Sequence, residues 1–463
     1  MAVCRFSGIR SAGLLIIKLS MPKNLRFQTP TGMSDILPEE QKYYKKIYDI
    51  VAEIADFYDF GKINTPVLEN SDLFAKSIGA STDIVNKEMY SFKTKGGDSL
   101  ALRPEWTAPI ARAYIENGMQ SLPQPVRLWY FGPCFRHERP QAGRYRQFWQ
   151  FGFEVFGESD SVIDAQTIQI FYNIFKELKL KNIIVEINSM GDSNCRPYYK
   201  KLLANYLKTK EFALCVDCRK RARENVLRIL DCKEGKCQPI KNQAPQILDH
   251  LCDECKTRFK QVLEFLDEIE LPYILNPYLV RGLDYYTKTV FEIFTGSKES
   301  NGQGPQALAG GLALQRLEPQ ALAGGGRYDK LVKLLGGRDI PACGGAAGIE
   351  RIVKLLKAQD EGPQKRAEVS IFLAQLGDLA KRKCLKIFEE FRKANIRAAE
   401  SLGKDSLKSQ LNKANRLGVR YSLILGQKEA LEGIIIIKNM ETGKQETIKL
   451  DKAVEEIKKR LKK

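Results

Sequence analysis

The stretch FRHERPQAGRYRQF places Arg136, Arg139, Arg144 and Arg146 within eleven residues, with Phe135, Tyr145 and Phe148 set among them. A guanidinium fork pairs bidentately with phosphate oxygens, and an aromatic face beside it can stack on a base. A solvated charged loop would look the same in isolation. Its flanks favour a site: VRLWYFGPCFR and QFWQFGFEVFG alternate large apolar with polar residues and read as two antiparallel strands. A second candidate, LVRGLDYYTKTVFEI, carries Arg281 in a strand-like run ahead of Tyr285 and Tyr286. Neighbouring strand residues face opposite ways, so one tyrosine is expected to line a pocket while the other packs. A core arginine and tyrosine are the alternative. A third, GGRDIPACGGAAGIERIV, sets small residues, which permit close approach of a ligand, ahead of a helical pattern carrying Glu350 and Arg351. It does not match G-x-x-x-x-G-K-[ST], so it is no P-loop.

Six of the eleven cysteines fall within 215–255, as the pairs Cys215/Cys218 and Cys252/Cys255 with Cys232 and Cys237 between them. Two CxxC knuckles suit one tetrahedral Zn²⁺ with four thiolates. The expected ligands are Cys215, Cys218, Cys252 and Cys255, with Cys232 or Cys237 as substitutes; reduced, partly buried thiols are the other reading. The heptapeptide PQALAGG occurs at 305–311 and again at 319–325, and only the second copy continues into GRYD. Two short copies are too few for a solenoid. The first reads as an insertion that lengthens a loop.

The elements that must hold these residues divide the chain in two. Over the first 350 or so residues (QKYYKKIYDIVAEIADFYDF as a helix, INTPVLE as an edge strand interrupted by Pro66, then the arginine hairpin) the pattern is α+β with antiparallel strands. Residues 195–265 form a helical, cysteine-rich insertion. After a polar linker near 356–366, strands and helices alternate to the C-terminus as a compact α/β domain over 366–463. Residues 1–20 are expected to be an extension, disordered or upstream of a start at Met21, with a transit peptide or an export signal as alternatives. No apolar run approaches the roughly 18 residues that span a bilayer. The 74 basic residues exceed the 56 acidic ones, leaving +18. That surplus favours a polyanionic partner such as nucleic acid, or serves only solubility.

Taken in order, the motifs resemble those of histidyl-tRNA synthetase, a class II aminoacyl-tRNA synthetase family, from about residue 24 to the C-terminus. TPVLE with Pro66 looks like class motif 1, FRHERPQAGRYRQF with Arg136 like motif 2, and GGAAGIER with Arg351 like motif 3. LVRGLDYY and AGGGRYD resemble the two histidine-specific motifs, and LRPEWTAPIAR (102–112) resembles the amino-acid-binding segment. The resemblance implies a class II antiparallel-sheet catalytic domain over 21–365 with the insertion inside it, and an anticodon-binding domain at 366–463. It implies a histidine–tRNA ligase: histidine attacks the α-phosphorus of ATP, pyrophosphate leaves, and histidyl-adenylate passes its acyl group to the 3′ end of tRNA(His), releasing AMP.

Residue by residue, the resemblance gives Arg136 and Arg281 the catalytic role of stabilising charge at the α-phosphate. Arg144 and Arg351 hold the triphosphate, Phe148 stacks with adenine against Arg351, and Glu138 contributes to Mg²⁺ binding. Glu105, Thr107 and Gln150 receive the α-amino group. Glu154 and Tyr286 contact the imidazole, with Tyr285 and Tyr328 in the same pocket and Arg136 and Arg281 near the carboxylate. Gln150 and Glu154, four apart in a strand, face the same way as Phe148. Gly345 departs from the larger residue usual in the family and is expected to loosen the adenine side. The resemblance also implies a homodimer with ATP, L-histidine and tRNA(His) as partners and tRNA contact by Lys408, Lys413 and Arg416; many relatives manage without the insertion's cysteines, so Zn²⁺ held there is expected to be structural, and the N-terminus and the cysteine usage point to the cytoplasm. The alternative is a non-catalytic, histidine-sensing regulatory subunit of the same fold. Such subunits typically lack the C-terminal domain and the RGLDYY arginine, both present here.

Overall fold

The structure is a computed structural model that describes residues 27–80, 82–139, 143–296, 321–359, 369–403 and 406–461. The N-terminal extension, the first PQALAGG copy and residues 140–142 of the arginine loop lie outside the described residues. The chain forms two compact units, 1–362 and 363–463.

In the first unit, helix α1 (Pro38–Phe57) precedes strands β1 (Gly61–Lys62) and β2 (Leu68–Asn70), helix α2 (Ser71–Ile78), and strands β3 (Ser91–Lys93) and β4 (Ser99–Leu102). Strands β2, β4 and β3 make a small antiparallel sheet with β2 at its edge. Pro66 lies just before β2, where its missing N–H costs no ladder bond. Helix α3 (Thr107–Glu116) leads to the long hairpin β5 (Val126–Phe135) and β6 (Gln147–Phe156), then helix α4 (Ser161–Glu177) and strand β7 (Ile183–Ser189). The insertion follows with α5 (Arg196–Lys208), α6 (Val216–Glu224), α7 (Gln238–Asn242) and α8 (Asp253–Glu268). Strands β8 (Tyr273–Leu275), β9 (Thr287–Thr295) and β10 (Ala323–Arg327), the short α9 (Leu331–Leu334), β11 (Ala342–Gly348) and α10 (Ile349–Ala358) complete the unit.

The main sheet has the order β1-β5-β6-β11-β10-β9-β7-β8. Its middle is antiparallel throughout, and a parallel strand closes each edge. Alternation assigns the two faces. Phe151, Phe153 and Val155 of β6, with Phe291 and Ile293 of β9, pack against α1, α4, α8 and α10 as one apolar core. Helix α8 therefore belongs to this core, although residues 253–265 had been grouped with the insertion. Phe148, Gln150, Gly152 and Glu154 are the other half of β6 and belong to the opposite face.

One expectation is corrected. Arg281 to Tyr286 are not in a strand: β9 begins at Thr287, and the preceding loop is pinned by Asp284, whose N–H donates to Ile78 O at 3.0 Å and whose carboxylate accepts from Asn225 at 2.9 Å. The glycine-rich runs ACGGAAG and AGGGR form the neighbouring strands β11 and β10, paired Gly325 to Gly345 and Gly326 to Gly344.

The second unit is an α/β layer of order β13-β12-β14-β15-β16, from β12 (Ile371–Gln375), β13 (Ala398–Glu400), β14 (Tyr421–Leu425), β15 (Ile434–Asn439) and β16 (Gln445–Lys449). Helices α11 (Asp378–Lys393), α13 (Gln427–Glu432) and α14 (Ala453–Leu461) cover one face and α12 (Leu407–Arg416) the other. Lys408, Lys413 and Arg416 are exposed on α12, Lys413 donating to Glu400 O at 2.9 Å.

Candidate active site

The sheet face opposite the helices holds a cavity of about 260 Å³. Eleven of the residues given a catalytic or binding role from the sequence line it: Glu105, Thr107, Arg136, Glu138, Arg144, Phe148, Gln150, Arg281, Tyr285, Tyr286 and Arg351. Its floor is backbone. A Cβ at Gly152 would collide with the Tyr130 hydroxyl, one at Gly324 with the Arg281 guanidinium, and one at Gly344 with the Glu154 carboxylate. Glycine at these positions lets side chains from the walls lie directly on the strands.

Four guanidiniums enter this space from three elements. Arg136, at the end of β5, donates from Nε to Pro104 O at 2.9 Å and stands over the Phe148 ring at 5.3 Å. Among the described residues it makes no ion pair, so its charge is uncommitted. Arg144 pairs with Glu138 at 3.2 Å. Arg351, from α10, donates to Gly143 O at 3.3 Å and to Ala321 O, joining the arginine hairpin to the start of β10. Arg281 is ion-paired with Glu292 and lies over Tyr286 at 5.7 Å, and its buried Nε–H has no acceptor among the described residues. A buried charged donor left open in this way favours an anion.

The opposite wall is built on the first turn of α3. Thr107 N donates to Glu105 Oε2 at 2.7 Å and Ala108 N to Oε1 at 2.9 Å, so a carboxylate caps the positive end of the helix. Burial raises the Glu105 pKa in spite of these bonds. Thr107 Oγ1 in turn donates to Glu154 Oε1 at 2.8 Å, and Tyr328 donates its hydroxyl to Glu154 Oε2. Glu154 and Tyr328 are thus not in the cavity wall; both are fully buried one layer behind it. Tyr285 and Tyr286 both line the cavity, with ring centroids 4.7 Å apart. The expected division into one lining and one packing tyrosine fails because neither lies on a strand.

Burial, and then the nearby Glu105 charge, push the Glu154 carboxyl up to about 8 against the two hydrogen bonds it accepts. The folded chain therefore keeps this proton well above the ordinary carboxylate pKa of about 4.3, at which the unfolded chain releases it. Between those limits folding takes up a proton, so this group's contribution to stability declines as pH rises through the window and is level above about 8. Glu154→Gln should flatten that decline in melting temperature measured from pH 4.5 to 8. Parallel profiles for the two proteins would refute the assignment.

Sequence reasoning missed Glu292 and Tyr130 and gave no specific contact to Trp106, Tyr145 or Glu350; all five line the cavity. The signal for Glu292 was available, since alternation in VFEIF sets it opposite Phe291 and Ile293. Glu350 accepts from Trp149 N at 2.7 Å and Tyr44 OH at 3.4 Å, and burial raises its carboxyl to about 7. Gly345 has little bearing on adenine: a side chain there would meet Phe171 at 2.9 Å and Phe291 at 3.1 Å, on the helical side of the sheet.

The metal set is corrected by geometry. Cys215, Cys218, Cys232 and Cys237 come together with their sulfurs within 4.8 Å of one another, all buried. Cys252 and Cys255 are elsewhere, grouped with Asp192 and Cys195. The first knuckle is closed by α6 and the turns after it, while the second lies at the start of α8, which is committed to the main core.

An antiparallel sheet with helices on one face and a basic cavity on the other is the frame of the class II aminoacyl-tRNA synthetases, and the apo crystal structure of histidyl-tRNA synthetase from S. aureus matches it with a TM-score of 0.73 at 35% identity, over 93% of this chain and 100% of that one. The histidine–tRNA ligase of Dehalococcoides mccartyi is 43% identical across 94% of this chain and 100% of its own, and that of Desulfitobacterium hafniense 41% identical across 95% and 99%. The histidyl-tRNA synthetase family profile matches residues 32–352, and that of the anticodon binding domain matches 369–460. The chain belongs to the histidyl-tRNA synthetase family.

Proposed function

We propose that the chain is a histidine–tRNA ligase that activates L-histidine with ATP and transfers it to tRNA(His). The observation that carries this is the convergence of four guanidiniums on a cavity also lined by Glu105, Gln150 and Tyr286. Joining a carboxylate to a triphosphate brings two anions together, so fixed positive charge around the α-phosphorus is the main requirement. Arg136 and Arg281 supply it from two elements, while Arg144 and Arg351 hold the β- and γ-phosphates. Phe148 and Arg351 offer a stacking position for adenine. Glu105, Thr107 and Gln150 orient the amino group, and Tyr285 and Tyr286 face the imidazole. Glu154 holds Thr107 and Tyr328 in place beneath that subsite. A ring read by fixed donors and acceptors excludes other flat side chains, which would leave buried polar groups unpaired.

Mg²⁺ takes oxygen ligands, and the cavity carboxylates Glu138 and Glu292 fit that preference; bound there it would neutralise phosphate charge. The tetrad Cys215, Cys218, Cys232 and Cys237 fits structural Zn²⁺, with two of its sulfurs, Cys215 and Cys232, 3.9 Å apart. Residues 21–365 serve as the catalytic domain, with the insertion running from about 195 to the start of α8, and 366–463 as the anticodon-binding domain, where exposed Lys408, Lys413 and Arg416 suit contact with RNA phosphates. Exposed Val67 and Leu68 beside Pro66 favour a homodimer formed through that segment. Among the described residues no helix is long and apolar enough to cross a membrane, in keeping with a cytoplasmic enzyme.

Pyrophosphate exchange into ATP, measured with each of the twenty amino acids, tests the reading. Exchange is expected with histidine alone. Binding of tRNA without any histidine-dependent exchange would favour the regulatory-subunit alternative instead.

A further inference from the structure

The second CxxC pair closes on residues that the first never meets. Cys252 and Cys255, at the N-terminus of α8, face Asp192 and Cys195 in the turn between β7 and α5, with all four ligand atoms within 4.8 Å of one another. We propose that Asp192, Cys195, Cys252 and Cys255 bind a second Zn²⁺, separate from the Cys215–Cys237 group, and that this ion clamps the start of the helical insertion to its end beneath the loop carrying Arg281 and Tyr286.

The distances fit a shared cation. Asp192 Oδ1 lies 3.4 Å from Cys195 Sγ and 3.9 Å from Cys252 Sγ. Ligands about 2.0–2.3 Å from a tetrahedral zinc stand roughly 3.5–3.8 Å from each other. The three cysteines are free thiols. Cys195 and Cys252 occupy the N-cap positions of α5 and α8, and Asp192 N donates to Cys195 Sγ at 3.3 Å. Asp192 is aimed by its own turn, accepting from Asn194 N at 2.8 Å and Cys195 N at 3.3 Å. Gly191, at φ +60°, leaves room for the sulfur, since a Cβ there would fall 2.5 Å from Cys195 Sγ.

The same turn is stitched to the active-site loop. Arg196, next to Cys195, donates to Met190 O at 3.2 Å, Gly191 O at 3.1 Å and Tyr286 O at 2.6 Å. Met190 N donates to Lys288 O at 2.7 Å, and Lys288 N to Gly191 O at 2.8 Å. A metal joining chain segments roughly 60 residues apart closes a long loop, where a cross-link removes the most freedom. Its loss would loosen Arg196 and, through it, the carbonyl of Tyr286. Arg196 is thereby a positioning residue and not a catalytic one.

Elemental analysis of the full-length protein, purified without chelator, should find two zinc ions per chain. Cys252→Ser/Cys255→Ser and Cys232→Ser/Cys237→Ser should each retain one. After cobalt substitution the first variant should show the spectrum of a four-thiolate site and the second that of a three-thiolate site. Asp192→Asn leaves every thiol in place and covers the case in which the double variant does not fold. It should release one ion to a chromophoric chelator at least about 10-fold more readily, with the other unchanged. The proposal is overturned if the wild-type chain holds fewer than two ions, if Cys252→Ser/Cys255→Ser keeps both, or if either double variant loses both together. The clamp predicts that Asp192→Asn, stripped of its second ion, shows a raised KM for histidine with kcat much less affected. Unchanged KM would remove the link to Tyr286.

Discussion

Replacement of Arg281 by alanine is expected to lower histidine-dependent pyrophosphate exchange by about 10²–10³-fold, the usual effect of losing one preorganised donor at a centre of developing charge. Histidine binding, measured directly, should weaken far less, because Glu105, Thr107 and Gln150 remain. Arg281, like Arg144, is ion-paired, and among the described residues it alone of the four cavity arginines leaves a buried nitrogen open. It is paired with Glu292, and its Nε–H is buried without an acceptor among the described residues. Deleting it also strands the Glu292 carboxylate, whose pKa is already raised by burial. Loss of activity could then reflect damage instead of missing charge, and the double variant Arg281→Ala/Glu292→Gln separates the two. It should regain any lost stability while exchange stays low. Near-normal exchange in either protein would end the assignment of Arg281 to the α-phosphate.

The second large effect is on folding. Arg327 follows the glycines of β10, and motif order alone would place it at the ligand. It points instead into the helical side, fully buried. There it pairs with Asp164 of α4 at 2.6 Å and Asp329 at 3.0 Å, and donates to Glu158 O at 3.0 Å and Asp160 O at 3.1 Å. Arg327→Met breaks a buried ion pair and leaves Asp164 only Arg258 at 3.5 Å and the Thr289 hydroxyl at 2.8 Å, and breaking such a pair typically destabilises by about 3–5 kcal/mol. Chemical denaturation should report a loss of that order. Arg327→Met/Asp164→Leu should recover part of it, since replacing both members of a buried pair is often close to neutral but Arg258 and Asp329 each lose a partner here. A single variant with unchanged stability and abolished exchange would return Arg327 to the ligand site.

These two arginines show what the chain reveals by pattern and what it hides. The β5–β6 hairpin was legible because its alternation is complete, with Phe151, Phe153 and Val155 on one face and Phe148, Gln150 and Glu154 on the other. Strands β10 and β11 were not, because glycine is depleted in strands and AGGGR carries no alternation at all. Only the tertiary partner explains them: Gly325 sits against Gly345 at a separation that side chains would prevent. The opposite error extended β9 upstream over Arg281, where β-prone tyrosines continue past the point at which Asp284 turns the chain. The cysteines failed for a different reason. Spacing identifies knuckles, but which knuckles share an ion depends on where α8 docks, and Asp192 has no spacing signature to advertise it.

The bare floor of the cavity bears on how this enzyme can change. At Gly152, Gly324 and Gly344 every possible side chain collides with Tyr130, Arg281 or the buried Glu154, so the strands beneath the substrates have no adjustable parts there. Drift in a lineage, or a directed library seeking a different amino acid, finds no productive variation there. New selectivity has to arise at the rim, among Thr107, Gln150, Tyr285 and Tyr286, where a changed side chain alters the shape of the opening without disturbing the strands. A randomised rim on an invariant floor is the search this architecture permits.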